Sequence, residues 1–169
     1  MQKGNSNDEI KIIYKIQFIA IFQIGLFSVS VAQNANLGRL SISDAYVHET
    51  VSGQTVVTGF VKIKNTGPAD KLVSVSTSAG FEAQIHAMKM EGNIMKMAQI
   101  PSIDIAANSS VELTPDGMHI MILGLKTPVK TGDVIKIKLK FVNSGEVELN
   151  FPVKTLAPIS GHDHGKMKM

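Results

Sequence analysis

From Leu40 onward the chain alternates apolar and polar residues with a period of two. Residues 40–47 read L-S-I-S-D-A-Y-V and residues 55–64 read T-V-V-T-G-F-V-K-I-K. Ile135, Ile137, Leu139 and Phe141 alternate with Lys136, Lys138 and Lys140. Successive side chains of a strand point to opposite faces, so this register sends the apolar set inward and the lysines to water. Residues 71–77, with Leu72 and Val73 at their start, and the run Val147, Leu149, Phe151, Val153 add two more strands. Asn65-Thr66-Gly67-Pro68 is a strong turn signal, and Gly145 punctuates the last two strands. No stretch after the N-terminal segment sustains a helical period. Many short strands at about 8–12-residue spacing with turn signals between them predict an all-β sandwich or barrel.

The first residues follow a different pattern. Residues 1–15 are polar and carry Lys3, Lys11 and Lys15, residues 16–29 are mostly apolar, and Ser30-Val31-Ala32 places small residues at −3 and −1. That order predicts a secretory signal cleaved after Ala32. The alternative is an uncleaved anchor, but the apolar run is short of the ~20 residues of a spanning helix, and Gln17 and Gln23 interrupt it. The expected organisation is a signal at 1–32, a β domain at 33–156 and a flexible His/Met-rich tail at 157–169. The expected location is periplasmic or otherwise exported.

Composition narrows the chemistry. The sequence has no cysteine. Disulfides, zinc–thiolate sites, thiol nucleophiles and cysteine lipidation are excluded, as are blue-copper and CuA electron-transfer centres in this chain, which need thiolate. The net charge is +3 with scattered lysines, which argues against nucleic-acid binding. Ser109, Ser110, Glu112 and Asp116 lie near His119 in sequence but match no nucleophile arrangement. Thr114-Pro115-Asp116-Gly117 reads instead as a turn. An enzyme is not expected.

The candidate chemistry lies in the methionines. Of nine in the chain, Met88, Met90, Met95, Met97, Met118 and Met121 fall in one window with His86 and His119. Thioether sulfur is a soft neutral ligand and imidazole a borderline one, a combination that selects Cu(I) over hard cations. His86, Met88 and Met90 share one strand face, as do Met95 and Met97, and Gly92-Asn93 suits a two-residue type II′ hairpin. That register sets Glu91 against Ile94, Met90 against Met95 and Met88 against Met97, with His86 diagonal to Met97. A three-residue loop would send Met97 to the other face. His119 and Met121 share a face of a later strand, so two His and two Met can converge. Core packing is the ordinary use of methionine. It stays open for Met88, Met90, Met95 and Met118, which are otherwise secondary metal-binding or docking sulfurs. His48 has no methionine neighbours and is expected to be structural or exposed.

The spacing His86-x10-Met97-x21-His119-x-Met121 resembles the H-x10-M-x21-H-x-M pattern of the periplasmic copper chaperone family PCuAC. The M-x-M-E-G-x-x-M-x-M hairpin, residues 119–126 (H-I-M-I-L-G-L-K), Gly132-Asp133, Asp44-Ala45-Tyr46 and Asn65-Thr66-Gly67 share the resemblance, which spans about residues 40–153. Met118 departs from it, where many members carry an aromatic residue. The resemblance implies a cupredoxin-like Greek-key β-barrel with an accessible Cu(I) site whose ligands are His86, Met97, His119 and Met121. It implies delivery of copper toward the CuA centre of cytochrome c oxidase subunit II, alongside Sco-type proteins, by a monomer. It also implies a Cu(II) role for the tail residues His162, His164, Met167 and Met169. Two other readings stand beside the chaperone: a copper-buffering or resistance protein without a dedicated acceptor, and a structural β-sandwich that binds no metal.

Overall fold

The computed structural model describes residues 34–155. The expected signal, its cleavage position and the tail residues His162, His164, Met167 and Met169 lie outside them. Among the described residues the chain is all strand and loop. The strands are β1 (Ala35–Leu37), β2 (Leu40–His48), β3 (Val56–Asn65), β4 (Asp70–Thr77), β5 (Glu82–Glu91), β6 (Ile94–Gln99), β7 (Ile103–Ile105), β8 (Ser110–Glu112), β9 (Met118–Leu123), β10 (Val134–Phe141) and β11 (Gly145–Lys154). Their order is β6-β5-β9-β3-β2-β11-β10-β4-β7, with β1 on β2 and β8 on β3. All pairings are antiparallel except β11 with β2. The expected cupredoxin-like β fold is the observed one. The three-residue strands β1, β7 and β8 are too short for a period to reveal.

The core follows the alternation. In β10, Ile135, Ile137, Leu139 and Phe141 are buried and the lysines between them exposed. They pack with Leu40, Ile42, Ile63, Leu72, Ile120, Ile122 and Phe151 in one cluster. Each such side chain contributes about 1.5–3 kcal/mol when fully buried.

One break in the alternation matters for the site. In β2, Leu40 and Ile42 are buried, but so are Ala45 and Val47: the inward set changes parity. A bulge between Ser43 and Tyr46, with Asp44 at φ 55°, absorbs the extra residue. An extra residue in one strand turns the side chains beyond it to the other face. The unbroken alternation expected over residues 40–47 would therefore have aimed His48 at the core. Instead Tyr46 and His48 stand on the outer face.

Candidate metal centre

The site occupies the outer face of β6-β5-β9-β3-β2. At its edge the β5–β6 hairpin has the expected two-residue loop. Gly92 sits at φ 62°, the left-handed value a type II′ turn requires at its first central position, where glycine carries no Cβ penalty. The pairs are Glu91–Ile94, Met90–Met95 and Met88–Met97. Next to the hairpin, β5 pairs with β9 so that His86 faces His119 and Gln84 faces Met121. On the far side of β9, Met121 faces Thr58 of β3.

This register brings the two imidazoles together. Their rings stack with centroids 6.0 Å apart at an interplanar angle of 25°. Met97 reaches across β5, setting its Sδ 3.1 Å from His119 Nε2. Met121 shares the face and the strand of His119, beside Gln84, and is half-buried. His86 and His119 are 9% and 3% exposed, whereas Met97 is 47% exposed. Two buried nitrogens thus lie under a sulfur that solvent reaches.

Hydrogen bonds hold both rings in place. The Thr114–Gly117 turn, closed by Gly117 N–H donating to Thr114 O at 3.1 Å, leads into β9 as expected. The Gly117 carbonyl accepts from Met88 N–H at 3.1 Å and from His119 Nδ1–H at 3.3 Å. Gly117 oxygen and Met97 sulfur are both acceptors; in the neutral tautomer that donates from Nδ1 to Gly117, His119 Nε2 keeps a lone pair toward Met97 sulfur. On the other ring, His86 Nε2–H donates to Gln84 Oε1 at 2.8 Å. His86 Nδ1 then holds the lone pair, and it is buried without a partner. Burial, and after it the neighbouring His119, holds His86 below the ordinary histidine range, so the ring is neutral at pH 7. Buried polar atoms are nearly always hydrogen-bonded, so an orphaned lone pair beside a second one and a sulfur suits an incoming cation. Among the described residues no three His, Asp or Glu side chains group to hold a metal, so a site here depends on methionine sulfur.

The other sulfurs divide. Met90 and Met95, 61% and 55% exposed, stand toward the hairpin tip away from the imidazoles. Met118 packs partly buried against the main core, which gives it an ordinary packing role. Met88 is half-buried and lines a cleft of about 300 Å³ with Met97, His119, Pro115, Thr58, Phe60 and His48. His48, expected to be structural or exposed and without methionine neighbours, lines this cleft with Met88 and Met97. Its only signal was the parity change at Asp44.

The comparisons agree with this fold. Residues 40–153 match the family described as "Putative lipoprotein LpqE-like". A "Putative lipoprotein Lxx21020" of Leifsonia xyli subsp. xyli is 32% identical over 117 residues, covering 68% of this chain and 69% of the relative. Among solved structures, the copper-bound PCuAC domain from PmoF2 superposes with a TM-score of 0.65 at 19% identity, covering 74% of this chain and all of that domain. The Cu(I) form of DR1885 from Deinococcus radiodurans gives 0.55 at 24%, covering 74% and 83%. This chain belongs to the LpqE-like family, and its fold is that of the PCuAC domains.

Proposed function

We propose that the protein is an exported Cu(I) chaperone that holds one ion between His86 Nδ1, His119 Nε2, Met97 Sδ and Met121 Sδ. The observation that carries this is the meeting of His119 Nε2 and Met97 Sδ at 3.1 Å beside the unpartnered, buried Nδ1 of His86. Neutral nitrogen and thioether donors stabilise the monovalent ion without thiolate. The exposure of Met97 lets an acceptor's ligand enter before the donor's leave. An acceptor offering thiolates is the stronger soft donor, so ligand exchange runs outward. The copper-bound PCuAC domain from PmoF2 and the Cu(I) form of DR1885, which share this fold, support the same cargo. The family's lipoprotein description fits export.

The acceptor we assign is the apo-CuA domain of cytochrome c oxidase subunit II or a Sco-type thiol protein. The protein acts as a monomer after cleavage at Ala32. The tail residues His162, His164, Met167 and Met169 are assigned to Cu(II), which nitrogen donors suit better. The test is a Cu(I) titration against a competing chelator, then mixing with apo-CuA domain. One tight equivalent, lost in a folded His86→Ala/Met97→Ala variant, and directional transfer are expected. Unchanged stoichiometry and affinity in the variant would refute the ligands. Tight binding without transfer would make the protein a buffer.

A further inference from the structure

We propose that Met90 and Met95, which face each other near the tip of the β5–β6 hairpin, form a second, weaker Cu(I) site of two thioether sulfurs, outside the His86–Met97–His119–Met121 centre. The inference rests on the copper reading above.

The hairpin register sets the two donors in direct opposition, Met90 against Met95. A two-residue loop is closed by the hydrogen bonds of the pair that flanks it, here Glu91 and Ile94, and bonded and non-bonded pairs alternate from there. Met90–Met95 is therefore a non-hydrogen-bonded pair, the kind whose side chains stand closer, with Cβ atoms about 4.5–5.5 Å apart. Each thioether hangs on three rotatable bonds, so both sulfurs can turn to one ion between them.

Packing does not account for this pair. Met90 and Met95 are both exposed and lie outside the main core cluster. Among the described residues, β6 is the last strand on its side of the sheet order, so no further strand covers the hairpin there. An exposed apolar side chain standing alone needs no account, but here Met88 and Met97 form a second facing pair on the same face. The charged side chains of the hairpin, Lys89, Glu91 and Lys96, fall by parity on the opposite face, where Lys96 donates to Glu91 at 2.6 Å. The four positions 88, 90, 95 and 97 therefore offer sulfur and no oxygen. Hard cations gain nothing from such a surface, whereas a soft monovalent ion does.

The same placement makes the site weaker than the centre. It has two donors and no imidazole, and both sulfurs stand in water. The pair lies one step beyond Met88–Met97, whose Met97 sulfur touches His119. That step is two residues along each strand, about 7 Å at ~3.4 Å per residue, too far for one ion to be shared with the imidazoles. Binding replaces neutral ligands on Cu(I) by two neutral thioethers, with no electron or proton transferred.

The test uses the full chain with the tail donors removed (His162→Ala, His164→Ala, Met167→Leu, Met169→Leu), titrated with Ag(I) as a redox-inert probe. Imidazole nitrogens and methionine methyls are followed by NMR. The first equivalent is expected to move His86, Met97, His119 and Met121. A weaker second one should move the Met90 and Met95 methyls together. M90L and M95L should each keep the first equivalent and lose the second. Absence of a second equivalent in the tail-silenced chain, or a second equivalent that leaves the Met90 and Met95 methyls still, overturns the site. So does a Met95 shift that survives M90L, because a lone exposed thioether would then be the binder. Loss of the first equivalent in M90L overturns it too, because the pair would then be part of the centre. Failure of the first equivalent to move His86 and His119 in the unsubstituted hairpin would instead sink the copper reading itself.

Discussion

Asp70 and His86 are both polar residues buried in a β fold, at 7% and 9% exposure, but their partners differ. The Asp70 carboxylate accepts from the N–H groups of Lys71, Asn143 and Ser144 and from the Ser144 hydroxyl, at 2.5–3.0 Å. Burial alone would raise its pKa. Those four bonds outweigh it and hold the carboxyl below the ordinary range. They tie the start of β4 to the β10–β11 turn, and the role is complete as it stands. Asn65 is similar, donating to Pro68 O and Ala106 O and accepting from Gly67 N–H. His86 has one partner, Gln84, and its other nitrogen has none. Satisfied burial marks a structural joint. Unsatisfied burial next to a second lone pair and a sulfur marks a place for a ligand.

The contrast predicts that the two clusters fail in different ways. The largest effect falls on copper. A His86→Ala/Met97→Ala variant should lose Cu(I) affinity by more than the about 10–100-fold typical of outer partners, with little change in melting temperature. Chelator competition and thermal unfolding of the same sample check both halves. Next, Asp70→Ala leaves three backbone donors and a hydroxyl without their acceptor. A loss of about 2–4 kcal/mol of stability is expected, read by denaturant unfolding, with Cu(I) affinity intact. A copper defect there would blur the distinction. Third, Gln84→Leu frees His86 to swap tautomers and should weaken Cu(I) about 10–100-fold without unfolding the protein. Nitrogen chemical shifts should show His86 losing its fixed Nε2–H form.

The smallest effect is on acid stability of the apo-protein. His86 and His48 both titrate below the ordinary histidine value in the fold, each chiefly through burial. The unfolded chain therefore takes up protons that the folded chain refuses. This contribution is fully present above about pH 6.5 and is lost as the pH falls through 6.5 toward the lowered folded values. A shallower loss is expected in a His48→Phe/His86→Ala variant, measured by denaturant unfolding from pH 7.5 to 5.

Much of this was legible in the residues. The alternation of Ile135–Phe141 against lysines needs only the pleat of a strand to assign its faces. The hairpin register followed from Gly92-Asn93, because loop length fixes which methionines pair. Three features were not legible. The Asp44 bulge moves His48 by one face, and a parity change among Asp44, Ala45 and Tyr46 is faint within so short a strand. The Gln84 hydrogen bond depends on rotamers, which sequence spacing does not carry. The reach of Met97 over β5 to His119 is a property of one flexible side chain, where spacing showed only that the two share a face.

X-ray absorption at the copper edge tests the centre most directly, on Cu(I)-loaded full-length protein with the four tail donors substituted. The account predicts a first shell of two nitrogen and two sulfur scatterers, with sulfur lost in the Met97→Leu/Met121→Leu variant. A shell of nitrogen and oxygen alone, or a sulfur signal that persists in that variant, would contradict it.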